Sequence, residues 1–281
     1  MSLTIRLMQP DDIPLGMYLK EQAGWNQTPR DWQRFLTLEP TGCLVAEYSG
    51  HAVGTTVALC FGDTAWLAMV LVEQSYRRRG IGRALVEHAL KYLASRKVRT
   101  IRLDATDLGR PLYEQFGFST EYTITRFAGT PKLLETPYEL SVRQAVFSDY
   151  TAVSALDALV TRTDRSRLIA EWWRDDQIAK YVATQNNQIA AYAFLRPGAK
   201  AYQLGPVIGV ADLGLMFLAQ VMGLAAGKPI YIDIPDYQIA ARDMAQNLGC
   251  RAERSFHRMW LGQAPQEMRS LLWASSGPEC G

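Results

Sequence analysis

The chain reads as one arrangement of elements written twice. IRLMQPDDIPLGMYL, from Ile5, is matched by SVRQAVFSDYTAVSAL, from Ser141. Both are a short strand, an Asp near a helix start, and a helix. GCLVAEYSGHAVGTTVALC, from Gly42, is matched by AKYVATQNNQIAAYAFL, from Ala179. Each holds two apolar runs around a polar turn, Ser49-Gly50 in one and Asn186-Asn187 in the other, the pattern of a β-hairpin. RTIRLDATD, from Arg99, corresponds to PIYIDIPD, from Pro229: a buried strand ending in acids. LYEQFGF, from Leu112, corresponds to MAQNLGC, from Met244: a helix stopped by Gly117 or Gly249. A period of about 135 residues is a domain duplication, far longer than a solenoid repeat. Two X-Pro steps, Thr130-Pro131 and Thr136-Pro137, interrupt the periodicity. The expected division is a first domain over residues 1–130, a linker over 131–138, a second domain over 139–264 and a tail over 265–281. Within the tail, SLLWAS reads as an added strand.

Composition narrows what two such units do. Thirty basic and 28 acidic residues leave a net charge of +2, which offers no chain-wide field for gathering nucleic acid or an anionic membrane. Cys43, Cys60, Cys250 and Cys280 are scattered, and with three histidines they make no zinc pattern. They read as small core residues, and no metal is expected. The N-terminal segment MSLTIRLMQPDD lacks the basic and apolar stretches of a signal peptide. The apolar stretch from Leu213 to Gly227 is too short to span a bilayer and reads as a buried helix. The expected location is cytoplasmic.

Chemistry concentrates in the first unit. Ala65 to Val72 is a continuous apolar run, read as a central strand. Arg77-Arg78-Arg79-Gly80-Ile81-Gly82 follows, and helical spacing begins there: Ile81, Leu85, Ala89 and Leu93 recur at steps of four. A strand thus enters a turn that opens a helix. The first amides of a helix have no internal partner, and its dipole favours negative charge. Gly80 and Gly82 let an anion approach the backbone, and Arg77, Arg78, Arg79 and Arg83 surround it with positive charge. A pyrophosphate suits such a loop. A P-loop is excluded, because Arg83-Ala84 stands where Lys-Ser/Thr is required.

Arg-x-x-Gly-x-Gly after a buried strand, with Leu-Tyr-x-x-x-Gly-Phe (Leu112 to Phe118) about thirty residues on, resembles the GNAT superfamily of acyl-CoA-dependent N-acetyltransferases. The resemblance covers residues 3–128. It implies an α/β (α+β) fold of two tandem GNAT-like domains, each a mixed, mostly antiparallel central sheet flanked by helices. It implies that backbone amides of Arg77 to Arg83 hold the pyrophosphate of acetyl-CoA. It further implies that Met69, Val70, Leu71 and Val72 pair with the pantetheine arm where the strand splays from its neighbour. Tyr113 matches the family's tyrosine beside the thioester sulfur, a general acid for the departing thiolate. Thr106 stands where many members carry an Asn that contacts the donor.

No acid lies on the strand Ala65 to Val72, so the base is open; Asp104, at the end of the next strand, is one candidate, and a cap of the following turn is its structural alternative. On the acceptor side, Thr28-Pro29-Arg30-Asp31 reads as an N-cap, a first-turn proline and a first-turn carboxylate. That leaves Gly24-Trp25-Asn26-Gln27 as a loop, with Trp25 and Asn26 as candidate pocket residues for a small amine. The second unit keeps the elements and loses the loop: GPVIGVADLG, from Gly205, has no arginine, Asp212 would repel an anion, and Ala245 replaces the tyrosine. This resembles GNAT proteins with a degenerate C-terminal domain, including holothin acyltransferase-like proteins, whose tail often ends in a Gly-Pro-Glu-like sequence, as Gly277-Pro278-Glu279 does. Trp172, Trp173 and Arg174 lie in the helical region of the second unit and are candidates to face the acceptor cleft; the alternative is that this unit only stabilises the first. The implied activity is transfer of an acetyl group from acetyl-CoA to a small amine by direct attack, with the donor bound in the first domain only, by a monomer or weak dimer. The alternative is a non-catalytic acyl-CoA sensor or scaffold.

Overall fold

The computed structural model describes residues 2–133 and 140–281, apart from the side chains of residues 211–212. Pro137, one of the two prolines expected to mark the joint, lies outside the described residues, as does the Asp212 side chain. The first unit runs β1 (Leu3–Leu7), α1 (Ile13–Gln22), α2 (Pro29–Leu38), β2 (Cys43–Tyr48), β3 (His51–Phe61), β4 (Thr64–Val72), α3 (Ile81–Ser95), β5 (Thr100–Ala105), α4 (Arg110–Glu114) and β6 (Ser119–Gly129). The second repeats this order: β7 (Val142–Gln144), α5 (Tyr150–Thr161), α6 (Ser166–Arg174), β8 (Ala179–Gln185), β9 (Gln188–Arg196), β10 (Tyr202–Gly209), α7 (Ala211–Leu224), β11 (Ile230–Pro235), α8 (Ile239–Asn247) and β12 (Arg251–Gly262). A last short strand, β13 (Leu272–Ala274), is the one expected from SLLWAS.

Local chemistry explains these elements. Thr28 and Asp31 form a capping box, in which the Asp31 carboxylate accepts from the Thr28 amide at 2.8 Å and from its hydroxyl at 2.8 Å. Both hairpin turns use positive φ, at Ser49 and Gly50 and at Asn186 and Asn187, which matches the twist of the paired strands. Ile81, Leu85, Ala89 and Leu93 form one buried stripe of α3. The apolar stretch in the second unit becomes α7, whose Phe217, Leu218, Val221 and Met222 are wholly buried. The duplication shows in ion pairs as well. Arg6 bonds both carboxylate oxygens of Asp12, and Arg143 does the same to Asp149, while each Asp also accepts a backbone amide three residues before it.

The two units share one sheet, in the order β1-β2-β3-β4-β5-β12-β6-β11-β10-β9-β8-β7. Among the described residues only β4 with β5 and β10 with β11 are parallel. The last strand of each unit is exchanged. The second unit's β12 pairs with β5, and the first unit's β6 pairs with β11, while β6 and β12 pair with each other. Helices cover both faces. One core holds Trp32 and Phe35 of α2 together with Val160, Ile169 and Trp172 of α5 and α6, so it belongs to both units.

The exchange carries a matched pair of buried ion pairs. Arg258 of β12 lies opposite Asp104 of β5, and its guanidinium donates to both carboxylate oxygens at 2.8 Å. Arg126 of β6 lies opposite Asp233 of β11, with both bonds at 2.7 Å. Asp104 and Asp233 occupy corresponding positions of the repeat, so each unit lends an arginine to the other's acid. Bidentate geometry is what such pairs need to offset desolvation. Arg258, 1% exposed, also meets the Tyr122 hydroxyl at 3.1 Å and Ser275 Oγ at 2.8 Å, and lies over the Trp66 ring at 4.8 Å. Removing either partner leaves a buried charge without compensation, so Arg258→Met or Asp104→Leu alone should cost about 3–5 kcal/mol. The double variant should recover most of that loss. Urea denaturation midpoints test this, and a single variant as stable as the parent would show that the exchange does not rest on the pair.

The tail is fastened the same way. Glu267 accepts from Arg102 of β5 and from the Tyr122 hydroxyl of β6, both at 2.8 Å. Burial pushes the Glu267 carboxyl up, but Arg102 and Arg258 outweigh it and hold it at about 2. A carboxyl lowered on folding contributes stability above its unfolded pKa and loses it as pH falls through the folded one. Thermal midpoints should therefore fall between about pH 4.5 and pH 2, and Glu267→Gln should flatten that stretch of the profile.

Candidate functional site

The central fork forms where β4 leaves β5. The parallel pairing runs from Thr64 opposite Thr100 to Trp66 opposite Arg102 and then stops. On the other edge of β4 the register jumps: Thr55 opposes Leu71, and Val57 opposes Ala68. Met69 and Val70 together face Thr56, a bulge that lifts them out of the β3 ladder. Met69 takes φ +52°, a costly conformation for a side-chain-bearing residue. It is held there by Thr55 Oγ1, which donates to the Met69 carbonyl at 2.9 Å, and by Thr56 Oγ1, which donates to the Ala68 carbonyl at 3.3 Å. Leu67, Ala68, Met69 and Val70 line a cleft in this fork.

The arginine loop follows β4. Gly80 caps α3 with φ +78°, and no atom lies within 4 Å of the point its Cβ would occupy. The loop surface is open at the helix start, as an anion site requires. Three of the four arginines are braced: Arg77 Nε on the Val72 carbonyl at 3.0 Å, Arg79 on the Ser75 carbonyl at 3.2 Å and over the rings of Tyr48 and Tyr76, and Arg83 on Glu87 at 3.0 Å and Gln115 at 3.1 Å. Arg78 makes no hydrogen bond or ion pair among the described residues.

Across the cleft stands Tyr113 of α4. Its ring packs edge-on against Phe118 at 5.8 Å, and its hydroxyl makes no hydrogen bond among the described residues. Burial pushes the phenol up from its ordinary value, so it holds its proton. Thr106 lines the same cleft, its Oγ1 accepting from the Gly109 amide at 3.2 Å.

Two expected residues are otherwise engaged. Asp104 borders the cleft, but both its oxygens accept from Arg258, so the candidate base is the acid of a structural pair. Burial pushes its carboxyl up, against the pull of Arg258. Asn26 does not line the cleft. Its amide ties the first unit to the second, accepting from the amides of Lys200 at 2.9 Å and Ala201 at 3.2 Å and donating to the Ala201 carbonyl at 2.9 Å. Trp25 does line it. Trp172, expected to face the acceptor, is wholly buried against Phe194 and under Arg196 at 4.5 Å; Trp173 packs on Tyr150 and Phe194, and Arg174 pairs with Glu171 at 2.8 Å.

The remaining wall comes from Gln27 of the acceptor-side loop, from Pro278 and Glu279 of the tail motif, and from Arg126, Arg254 and Phe256, which the sequence did not single out. Strand exchange brings Arg254 and Phe256 of β12 to the cleft, and Arg126 reaches it from β6. Pro278 and Glu279 arrive because Trp66 Nε1 donates to the Pro278 carbonyl at 2.8 Å and Arg196 binds Glu279 at 3.0 Å. The Gly277-Pro278-Glu279 motif was the only sequence signal pointing to them.

Residues 14–118 match the acetyltransferase (GNAT) family, and residues 153–274 match a second GNAT acetyltransferase domain. The chain belongs to the GNAT family. It is a tandem of two GNAT units, and the activity that goes with them is acyl transfer from an acyl-CoA to an amine. It is 27% identical over 236 residues to the uncharacterized N-acetyltransferase YitH of Bacillus subtilis, covering 81% of this chain and 80% of that one. Its fold is similar to that of a Pyrococcus horikoshii protein assigned to the acetyltransferases, at a TM-score of 0.85 and 23% identity, over 99% of this chain and 96% of that one. It is also similar to a tandem GNAT protein from the clavulanic acid biosynthesis pathway, at a TM-score of 0.65 and 16% identity, over 95% and 100% of the two chains.

The second GNAT unit has the corresponding fork filled. β10 pairs with β11 only from Tyr202 to Leu204, and beyond that β13 pairs with Val207 and Ile208 of β10. Trp273 of β13 is seated at the start of α7. Its Nε1 donates to the Gly209 carbonyl at 3.0 Å, and its ring lies 1.9–2.6 Å from the point a Gly214 Cβ would occupy. Only glycine fits beneath the indole. The tail therefore occupies the strand edge and the helix start that stand open in the first unit.

Proposed function

We propose that this protein is an acetyl-CoA-dependent N-acetyltransferase of a small amine, with the donor bound by the first unit alone. The observation that carries this reading is the open fork of β4 and β5, flanked by a capped, arginine-rich helix start on one side and the unbonded Tyr113 hydroxyl on the other. The amides of Arg77, Arg78, Arg79, Gly80, Ile81, Gly82 and Arg83 are assigned to the pyrophosphate, with the free Arg78 guanidinium as its supplementary charge. Met69, Val70, Leu71 and Val72 are assigned to the pantetheine arm, and the bulge amides to the thioester oxygen, where negative charge develops on attack. Thr106 is assigned to the donor through its hydroxyl proton, since its oxygen already accepts from Gly109.

In the reaction the neutral acceptor nitrogen attacks the thioester carbon, the carbon–sulfur bond breaks, and Tyr113 gives its proton to the departing thiolate. A phenol kept protonated by burial suits that role. The ammonium of the acceptor loses its proton to water at the cleft mouth before attack, because Asp104 is committed to Arg258; the second proton, shed by the nitrogen as the amide forms, returns through water to the Tyr113 phenolate. We assign residues 1–130 to donor binding and residues 139–264, joined by 131–138, to the far wall of the acceptor cleft, with the tail 265–281 closing the second fork. The soluble fold class suits a cytoplasmic enzyme acting as a monomer or weak dimer.

Calorimetric titration with acetyl-CoA should give one site per chain. Two sites would overturn the filling of the second fork, and no site would overturn the donor reading. Tyr113→Phe should lower kcat by about 100-fold or more, with the acetyl-CoA dissociation constant nearly unchanged. Unaltered turnover would remove the acid role, and acetyl-CoA binding with no amine turnover by the parent would favour a sensor.

A further inference from the structure

The acceptor side of the cleft holds a polar atom that the fold leaves without a partner. Gln27 is 8% exposed, and its Oε1 is buried with no hydrogen bond among the described residues. The amide cannot be turned to satisfy it. Its Nε2 donates at 3.1 Å to Glu279 Oε2, and an ionised carboxylate only accepts. An unmade hydrogen bond at such a site is a standing cost that a ligand N–H would recover. Glu279 stands beside it, 6% exposed and oriented by Arg196 at 3.0 Å. Gln27 Oε1 is thus a free acceptor in the cleft wall, and Glu279, whose oxygens accept from Arg196 and Gln27, sets a carboxylate beside it that attracts a positively charged amine.

A second observation concerns the opposite charge. Three arginines near the cleft are matched by carboxylates: Arg258 by Asp104, Arg126 by Asp233 and Arg196 by Glu279. Arg254 is not matched in this way. It lines the cleft with its side chain 30% exposed, and its only ion pair among the described residues is with the adjacent, 33% exposed Glu253 at 3.3 Å. Lys200 reaches the same rim. Its Nζ donates to the Gly24 carbonyl at 3.0 Å, and it lies 3.5 Å, and Arg254 Nη2 4.0 Å, from the point a Gly24 Cβ would occupy. Two cations therefore converge at the mouth of an otherwise neutralised cleft. Trp25 and Phe256 supply aromatic surface to the same cleft.

We propose that the acceptor is an amino acid or a closely similar amine bearing a carboxylate. Its amino group is held by Gln27 Oε1 and Glu279, its carboxylate is bound by Arg254 and Lys200, and its apolar side chain rests against Trp25 and Phe256. This rests on the acetyltransferase reading above and names the substrate class for the same cleft.

The test is acetyl transfer by the full chain at saturating acetyl-CoA, following release of free CoA thiol with L-leucine, L-leucinamide and isopentylamine as probes, the last two lacking the carboxylate. L-Leucine should be the best acceptor by about 10- to 100-fold in kcat/KM, the scale of a charge-assisted bond. Arg254→Gln should remove that preference by raising KM for leucine while leaving the two carboxylate-free probes alone, and Arg254→Lys should restore part of it. Glu279→Gln and Gln27→Leu should weaken all three acceptors with acetyl-CoA binding intact by calorimetry. Better turnover of isopentylamine, a preference unmoved by Arg254→Gln, or no turnover of any probe with acetyl-CoA still bound would overturn the acceptor class alone. Loss of acetyl-CoA binding in the parent chain would overturn the donor reading beneath it.

Discussion

The buried bidentate pair between Arg258 and Asp104, with its counterpart between Arg126 and Asp233, is the contact on which the rest of this molecule turns. Each pair crosses from one unit to the other. A strand that inserts between two strands of a neighbouring unit could slip by a residue and still bury apolar surface on the wrong face. A guanidinium that must meet a carboxylate squarely does not tolerate that slip, because a displaced pair leaves two desolvated charges. The pairs therefore specify register as well as holding the units together. Trp66 and Tyr122 supply flat faces on either side of Arg258, at 4.8 Å and 5.5 Å, so the cation is packed as well as paired.

The exchange has a functional consequence. It brings Arg254 and Phe256 of the second unit to a cleft lined by β4 of the first. The two GNAT units have diverged around the same fork. In the first, β4 bulges at Met69 and its edge stays open beside a helix start; in the second, the edge of β10 is paired with β13 and the helix start is covered by Trp273. The tail that fills one fork also delivers Glu279 to the other, held there by Arg196 and by the Trp66–Pro278 bond. One segment thus closes the unused fork and completes the wall of the open one.

Much of this was legible in the chain. The hairpins at Ser49-Gly50 and Asn186-Asn187, the Thr28–Asp31 cap, the buried stripe of α3 and the glycine stops at Gly117 and Gly249 are all present as expected, as is the strand in SLLWAS. Each depends on residues a few positions apart. What was not legible has a common source. The sequence offers Asp104, Asn26 and Trp172 by what their side chains are able to do, whereas their packing is set by contacts with Arg258, Ala201 and Phe194 that the order of residues does not reveal. Glu279 was noticed as part of a motif and not as a cleft residue, since its position depends on Arg196 and Gln27.

The sequence by itself determined the duplication, the type and limits of most elements, and the arginine-rich, glycine-capped turn before α3, because propensity, capping and helix-end electrostatics act within one or two turns of chain. Only the tertiary structure decided that the last strands change places, that β13 lies in the second fork, and that Gln27, Glu279, Arg254 and Tyr113 share one cleft. An alternating strand carries the same pattern whichever neighbour it pairs with, so its partner is chosen by long-range burial and by where each buried charge finds its counter-charge.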